Sequence, residues 1–344
     1  MYNPSITSMY RAGAVRRKQQ QLGAARRAAR ELIAQSDYRE AERPTVGPRY
    51  YLSSGSWQRH PARFKLCLYT RAADVFTFEK FSREVLFLAY IQRAGLPTLR
   101  AAVPTVYQSG LTPRPWYVRE DIGGQFQSTG GGIVRVRPSF YTASNLRWLS
   151  NVLSSLHRIK QSSLPQQFRR LLFQPDRAMH LWHHLQTLVP EIERVLHQPG
   201  VGLQLRSAIR QCATVYDRAP RVLAHQELYG CHFIRTERGF RLIDWENIGW
   251  SNPCHDAVVV WLRGHQHPAW QKKLFKTLRR RYRSYPRFTE LWNAEVLIQC
   301  AFNVGSWRFF PDQRDFHALG QYCSRTLSNM LRQTPHDQLS NQPR

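Results

Sequence analysis

The residue types that could do chemistry are concentrated in a short stretch in the second half of the chain. Residues 225–234 read HQELYGCHFI, and residues 242–246 read LIDWE. Glu227 leaves a strand-like segment on a tight turn, His232 follows it closely, and Asp244 ends a second strand-like segment. A hairpin would bring these three groups together. Two carboxylates and a neutral ligand suit a Mg²⁺–phosphate site with an attacking hydroxyl.

This cluster resembles the catalytic and metal-binding loops of the protein-kinase-like phosphotransferases. The aminoglycoside and choline phosphotransferases carry H-x-D-x-x-x-x-N and, further on, a hydrophobic residue followed by D-W/F-E/G. The corresponding positions are occupied by His225, Glu227, His232 and Asp244. The loop resembles more closely that of the lipopolysaccharide core heptose kinases and Kdo kinases, H-R-D-x-Y-x-C-H-F, in which His replaces Asn. The resemblance therefore implies an ATP-dependent phosphotransferase that acts on a sugar hydroxyl.

The resemblance also implies a role for each residue of the two loops. Glu227 would orient the acceptor hydroxyl or accept its proton, with His225 beside it, while His232 and Asp244 would hold Mg²⁺. Asp256 would brace the catalytic loop by hydrogen bonds. The family has Asp at the position of Glu227, and the longer side chain displaces the carboxylate by about 1 Å, which can lower a rate about 10²-fold. A pseudokinase that binds ATP without turnover therefore remains an alternative.

Residues further upstream match the nucleotide-binding part of such enzymes. Kinases use a strand Lys to hold the α- and β-phosphates of ATP and a helix Glu to position that Lys. Lys65 lies in the alternating segment RFKLCLY, and Glu84 lies in a segment with helical spacing. The segment REDIGG resembles the hinge, where backbone groups at Glu120 and Ile122 would bind adenine. ATP and Mg²⁺ are the cofactors that the resemblance implies.

These residues must be positioned by the strands and helices around them. The order of strand and helix patterns along the chain predicts an α+β fold with two lobes, a small β-sheet lobe with one helix and a larger, mainly helical lobe. The predicted divisions are a basic extension at 1–45, an N-lobe at 46–118, a hinge at 119–124, a C-lobe at 125–335 with the catalytic loop at 225–233 and the metal loop at 242–247, and a tail at 336–344.

Turn and helix signals in the sequence predict the bounds of several strands, helices and loops. Strands at 49–52 and 63–69 are predicted on either side of a Ser-Ser-Gly-Ser turn at 53–56, and one long helix is predicted at 177–197. The Gly-rich segment at 123–132 is expected to be a flexible loop. It lacks the strand–G-x-x-x-x-G-K-[ST]–helix context of a phosphate-binding loop.

The first 45 residues differ in composition from the rest. Seven Lys and Arg residues precede the first acidic residue, Glu31. A basic helix on an anionic membrane surface, a frayed extension and a mitochondrial-type presequence all fit this pattern.

Charge narrows the class of partner. The chain has 344 residues, with 50 Lys and Arg against 23 Asp and Glu, so its net charge is +27. Such a field attracts an anionic glycan or glycolipid, such as a heptose or Kdo of the lipopolysaccharide core, and repels a cationic aminoglycoside. A nucleic-acid-binding protein that uses the basic arm is a third hypothesis, although no nucleic-acid-binding motif is visible.

Cysteine usage and hydropathy bear on the compartment. The six cysteines form no CxxC pair, which is typical of reduced thiols, and no apolar run approaches the roughly 20 residues that cross a bilayer. We expect a cytoplasmic protein with peripheral contact to the anionic inner membrane.

Overall fold

The computed structural model describes residues 4–128, 136–174, 177–306 and 314–333. The chain divides into two compact units. The first contains residues 1–124, 164–172 and 236–248, and the second contains residues 125–163, 173–235 and 249–344. In the segment 123–132, which was predicted to be a flexible loop, residues Gln125–Phe126 form a short strand, and residues 129–132 lie outside the described residues. The predicted tail at 336–344 also lies outside them. No helix in the described ranges is long and apolar enough to cross a membrane.

The first unit is built on an antiparallel sheet. Its strands run in the order β1-β3-β4-β6-β5, and β2 also pairs with β3. In chain order its elements are α1 (Pro4–Ala34), β1 (Tyr38–Glu40), β2 (Thr45–Val46), β3 (Tyr50–Trp57), β4 (His60–Cys67), α2 (Val75–Arg93), α3 (Pro97–Ala102), β5 (Val106–Gly110), β6 (Trp116–Glu120) and, later in the chain, α5 (Gln166–Leu171) and β10 (Gly239–Leu242).

In its described residues the second unit is mainly helical, with four short strands. Its elements are β7 (Gln125–Phe126), α4 (Ala143–His157), α6 (Ala178–Gln186), α7 (Val189–Leu196), α8 (Val201–Asp217), β8 (Val222–Ala224), β9 (Phe233–Thr236, whose last residue is counted with the first unit), β11 (Gly249–Ser251), α9 (His255–Arg263), α10 (Pro268–Arg281), α11 (Phe288–Gly305) and α12 (Arg314–Arg332). Strand β7 pairs with β9, and β11 pairs with β8.

The turn predicted at 53–56 is wrong, because those residues lie inside β3. The hairpin instead turns at Gln58 and Arg59, which both have positive φ, the backbone conformation of a two-residue hairpin turn. Gly55 serves a different purpose from a turn. A Cβ at Gly55 would lie 2.0 Å from the carbonyl oxygen of Arg39, so the close approach of β1 requires glycine there.

The segment before residue 46 contributes to the first unit. Ala25 and Ala29 of α1 are fully buried, and they share a hydrophobic cluster with Tyr38, Phe64 and Leu66. The small alanine side chains let the helix approach the sheet closely. The part of the predicted extension from residue 19 onward therefore includes a layer of this unit's core.

Proline explains two further differences from the predicted helices. The single helix predicted at 177–197 is two helices, because Pro190 lies in the first turn of α7. Proline removes a backbone donor and is tolerated only in the first turn of a helix. In the same way, Pro97 begins the short helix α3, which the sequence analysis did not predict.

Candidate functional site

The first unit pairs Lys65 with Glu84. The side chain of Lys65 leaves strand β4, and its Nζ lies 2.8 Å from Oε2 of Glu84 on α2. Both side chains are largely buried, with 12% and 4% of their areas exposed. Asp74 caps the start of α2 by accepting a hydrogen bond from the backbone N–H of Thr77, which fixes where this helix begins.

A second carboxylate, Glu246, reaches the same lysine. The Oε1 of Glu246 lies 3.3 Å from the Nζ of Lys65, and the Tyr50 hydroxyl donates a 2.8 Å hydrogen bond to Oε2. Lys80 and Arg49 lie 3.6 and 3.9 Å from this carboxylate. Glu246 belongs to the matching motif, but no role was predicted for it. The acidic last position of LIDWE was the available signal, whereas the partners of that acid come from distant elements.

Aromatic rings enclose the lysine. The Nζ of Lys65 lies 4.3 Å from the ring centroid of Tyr50 and 4.5 Å from that of Phe81. The hydroxyl of Tyr117 donates to Glu84 at 3.4 Å. Rings at these distances attract a cation through their negative faces and restrict the positions it can take.

Asp244 completes a group of three acids. One carboxylate oxygen from each of Glu84, Asp244 and Glu246 lies within 4.8 Å of the other two. Asp244 adopts a left-handed backbone conformation, with φ of 65°, at the start of a short 3-10 turn. Carboxylate oxygens are the donors that Mg²⁺ prefers, so this donor set fits that ion.

Electrostatics distinguish the lysine from its partners. Burial lowers the pKa of Lys65. The negative charges of Glu84 and Glu246 raise it by more than burial lowers it, so the pKa of Lys65 is well above its usual value. Burial raises the pKa of Glu84, and the nearby Asp244 and Glu246 raise it too, against the effect of Lys65. The lysine therefore stays charged, while Glu84 is crowded by two other acids, so an additional cation nearby would stabilise its ionised form.

The loop that carries Asp244 and Glu246 is anchored to α2. Trp245 is fully buried and packs on Phe87 at 4.3 Å between ring centroids. Its indole N–H donates to the carbonyl of Leu242 at 3.0 Å. The Nε of Arg83 donates to the carbonyl of Glu246 at 2.9 Å. Arg83 and Trp245 thus position the two acids without being part of the acidic group.

The predicted hinge residues lie at the end of β6 and just beyond it. The N–H of Glu120 donates to the carbonyl of Thr105 at 2.8 Å, and the carbonyl of Glu120 accepts from Arg119 at 3.0 Å. Ile122 follows the strand and is half-buried. The backbone of Glu120 is therefore engaged within the unit, and adenine binding at Glu120 and Ile122 stays a prediction.

In the second unit, Asp256 holds the start of the catalytic loop. Its two carboxylate oxygens accept from the backbone N–H groups of His225 at 2.7 Å and Gln226 at 2.8 Å. His225 is fully buried, and Gln226 has φ of 72°, a left-handed conformation that costs energy for a residue with a side chain. The predicted bracing role of Asp256 is confirmed by these bonds.

Glu227 and His232 are linked through the backbone. The N–H of Glu227 donates to Nδ1 of His225 at 3.3 Å, and Nδ1 of His232 donates to the carbonyl of Glu227 at 2.5 Å. Because a carbonyl oxygen can only accept, Nδ1 of His232 carries a proton. The structure thus groups these three residues in the second unit and groups Lys65, Glu84 and Asp244 in the first.

A cavity of about 490 Å³ adjoins the catalytic loop within the second unit. Arg177, Arg221, Gln226 and His255 line it together with Asp217, whose carboxylate accepts from the N–H of Ala178. In the described part of the chain, neither the guanidinium group of Arg177 nor that of Arg221 has an ion-pair partner. The lining therefore offers more positive than negative charge.

His255 adds to that positive charge at neutral pH. Its Nδ1 lies 2.9 Å from Oε1 of the fully buried Glu295. Burial lowers the pKa of His255, but the charge of Glu295 raises it more, to about 9. Asn252 and Gln299 also donate to Glu295, at 2.7 and 2.9 Å.

Comparison with known proteins gives one family and a set of similar structures. The model of the Phosphotransferase enzyme family matches residues 47–292. No curated protein sequence matches significantly.

Three similar structures are aminoglycoside phosphotransferases. The GDP complex of aminoglycoside 2'-phosphotransferase-IIIa has a TM-score of 0.53 at 14% identity and covers 89% of this chain and 99% of its own. The streptomycin–ATP complex of APH(2")-IIa has a TM-score of 0.52 at 13% identity, and the match covers 89% of this chain and 97% of that one. A thermostable mutant of APH(4)-Ia with AMP-PNP and hygromycin B has a TM-score of 0.50 at 11% identity, with 88% and 96% covered. At these identities the likeness shows the fold, and it confirms the predicted α+β, kinase-like architecture.

Proposed function

Because the chain belongs to the phosphotransferase enzyme family, we propose that it transfers the γ-phosphoryl group of ATP to a hydroxyl group of an anionic sugar. The observation that carries this proposal is the ion pair of Lys65 and Glu84 beside Asp244. Phosphoryl transfer needs positioning and electrostatic stabilisation of phosphates more than covalent chemistry, and a fixed, permanently charged lysine supplies both.

Lys65 binds the α- and β-phosphates in this proposal, and Glu84 orients its ammonium group. Asp244 holds Mg²⁺ in this proposal. The second ligand is either His232, as the sequence predicted, or Glu246, whose carboxylate oxygen suits a hard cation better than a histidine nitrogen does. When bound, Mg²⁺ supplies charge neutralisation to the phosphates. Crowding of Asp244 with two further carboxylates supports its role as a ligand.

Glu227 is the group that orients the acceptor hydroxyl and takes up its proton. Its backbone is fixed on both sides by hydrogen bonds to the side chains of His225 and His232. Because this backbone is fixed, it cannot shift to offset the extra methylene, and the position of the Glu227 carboxylate depends on its side-chain torsions. Turnover by Glu227 is therefore part of the proposal, and a pseudokinase is its alternative.

The proposed acceptor is a heptose or Kdo sugar of a lipopolysaccharide core. Support comes from the loop HQELYGCHF, the net charge of +27, and Arg177 and Arg221, which line the cavity beside Gln226. A phosphate or carboxylate on the sugar would complement these guanidinium groups. An acceptor anchored in an anionic membrane would also attract this basic protein to the cytoplasmic surface of the inner membrane.

Aminoglycoside phosphorylation is the second candidate. It is favoured by the similar structures, which are aminoglycoside phosphotransferases with nucleotides or antibiotics bound. The positive lining of the cavity argues against a cationic substrate, because like charges repel.

Transfer of labelled phosphate from Mg²⁺-ATP tests both candidates in one assay. The wild type and Asp244→Asn are each incubated with dephosphorylated lipopolysaccharide core and, separately, with kanamycin. Transfer to the core that disappears in Asp244→Asn supports the proposal. Transfer to kanamycin alone would replace it with the second candidate.

Absence of transfer to either acceptor is also informative. If ATP still binds and Glu227→Asp restores transfer, the fold is a phosphotransferase weakened at that position. If ATP binds and Glu227→Asp restores nothing, the protein is a pseudokinase for these acceptors. If ATP does not bind, the assigned roles of Lys65 and Glu84 are wrong.

A further inference from the structure

Helix α10 and the turn after it hold an unusual concentration of positive charge. Residues 257–289 contain nine Lys and Arg residues and no Asp or Glu. Three of the seven lysines of the chain lie in this helix, at positions 272, 273 and 276. The excess is therefore local and exceeds what the general arginine richness of the chain would give.

Part of this charge lines a cavity. A space of about 480 Å³ is bordered by Lys276, Arg279, Arg280 and Arg283, with Tyr282 among its walls. All four cationic side chains are exposed, and none has an ion-pair partner within the described ranges. The nearest acid in sequence, Glu290, is already paired with Arg287.

The four cations repel one another as they stand. Within α10, Lys276 precedes Arg279 and Arg280 by three and four positions, and Arg283 follows the last residue of the helix by two positions. Like charges at these helical spacings face each other and are destabilising. The helix dipole favours cations at a C-terminus, but it equals only about half an elementary charge. An anion in the cavity would remove most of the repulsion.

The aromatic walls of the cavity are held in place. The hydroxyl of Tyr282 is hydrogen-bonded to Nδ1 of His157, and the hydroxyl of Tyr285 donates to the carbonyl of Val215 at 3.3 Å. Phe288 stacks on Tyr282 at 5.6 Å with only 5° between the ring planes. A wall that is already ordered loses little conformational entropy when a ligand binds.

Arg281, at the end of α10, has a structural role that the arginines lining the cavity lack. Arg281 donates to the carbonyl of Ser150 and to the side chain of Asn151. It therefore ties α10 to α4. Among the residues that the structure describes, the arginines at 279, 280 and 283 find no such partner, although they lie within two residues of Arg281.

We propose that this cavity binds the phosphate groups of a ligand that carries two or more of them. Three guanidinium groups and one ammonium group call for a dense negative charge, and a phosphate monoester carries nearly two charges where a carboxylate carries one. Arginine forms paired hydrogen bonds with phosphate oxygens. The site lies wholly in the second unit and does not depend on the proposed phosphoryl transfer.

The phosphates could belong to a soluble molecule or to neighbouring headgroups of a membrane. Two probes distinguish these sources: pyrophosphate, measured by calorimetry, and vesicles of phosphatidylcholine with about one third phosphatidylglycerol, measured by flotation. Vesicles of pure phosphatidylcholine are the uncharged reference. The full chain is used throughout, at low and at moderate salt.

The test variant combines Arg279→Gln, Arg280→Gln and Arg283→Gln. The matched control combines Arg206→Gln, Arg210→Gln and Arg218→Gln, which removes the same charge from exposed positions of the same unit. All six side chains are exposed, so folding should be preserved in both, and circular dichroism checks it. This design separates a specific cavity from the general attraction of a basic protein.

We expect the test variant to lose about tenfold in affinity for pyrophosphate, or about 100-fold in affinity for the anionic vesicles, while the control stays within about twofold. Selective loss of pyrophosphate binding identifies a soluble ligand, and selective loss of vesicle binding identifies headgroups. Equal losses in the two variants would overturn the proposal. So would a selective loss seen only with a single-stranded oligonucleotide, because the ligand would then be nucleic acid.

Discussion

The two units each bury a group of acidic side chains, but the partners of those acids differ. In the first unit, Glu84 and Glu246 converge on one lysine, and Asp244 stands close to both. In the second unit, Asp256 is bound by two backbone N–H groups, and Glu295 is bound by a histidine and two amides.

This difference indicates which acids serve structure. Backbone N–H groups must be satisfied when they are buried, so an acid that satisfies them stabilises the fold and has little left to offer a ligand. The acids of the first unit instead face side-chain cations, and one oxygen from each of Glu84, Asp244 and Glu246 lies close enough to the other two to share a further cation. The first group is therefore suited to binding, and the second is suited to holding the catalytic loop.

The largest effect is expected from Lys65→Met, which tests the binding side of this comparison. Loss of the ammonium group removes the charge that would contact the phosphates, and we expect kcat/KM to fall about 10²–10³-fold. The free energy of unfolding should change little, because Glu84, whose pKa is already raised, can take up a proton when its partner is gone. Initial rates and urea unfolding measure the two quantities.

The exposed Lys160 provides the control, as Lys160→Met. If Lys65→Met unfolds the protein while the folded fraction keeps its activity, the acidic group of the first unit is structural and the comparison fails.

The next largest effect is expected from Asp256→Ala, which tests whether the acids of the second unit stabilise the fold. Asp256→Ala leaves the buried N–H groups of His225 and Gln226 without acceptors, and we expect a loss of about 3 kcal/mol in the free energy of unfolding. Asp256→Asn keeps one acceptor oxygen and should lose less. Chemical unfolding measures both. Equal stability of Asp256→Ala and the wild type would show that water replaces the carboxylate, and the bracing role would be lost.

Local patterns explain what the sequence could predict. The apolar spacing before Glu84 predicted the helix that carries it, and the alternation around Lys65 predicted its strand, because both signals lie within one element. The loop sequence around Glu227 predicted the family, since motif residues follow one another closely in the chain. The predicted functions of these residues are not tested by their geometry.

Contacts between distant segments explain what could not be predicted. Gly55 was interpreted as a turn residue because its need for a close approach to Arg39 is invisible in a local window. Ala25 and Ala29 gave a weak helical pattern, although their small size is what packs α1 on the sheet. The partners of Glu246 come from three other elements, so its position in the ion-pair group required the fold.

A pH dependence sharpens the comparison further. The pKa of His255 is raised from 6.5 to about 9 beside Glu295, so the folded state binds its proton more tightly than the unfolded state does. The stabilisation is complete below pH 6.5 and is lost as pH rises through 9. Between pH 7 and 9 we expect the wild type to lose about 2 kcal/mol more than His255→Gln. Urea unfolding across this range measures the difference, and parallel curves for the two proteins would rule out the ion pair.

The smallest effect concerns Glu246, which could belong to either class of acid. Glu246→Gln keeps the shape and an acceptor for Tyr50, but it removes the charge beside Lys65 and Asp244. If Glu246 helps to hold Mg²⁺, kcat/KM should fall about tenfold and recover in part at higher Mg²⁺ concentration, because the ion is bound more weakly. Glu290→Gln, which removes an exposed acid paired with Arg287, is the matched control. Unchanged activity in Glu246→Gln, with lower stability, would move Glu246 to the structural class and leave Lys65, Glu84 and Asp244 as the binding group.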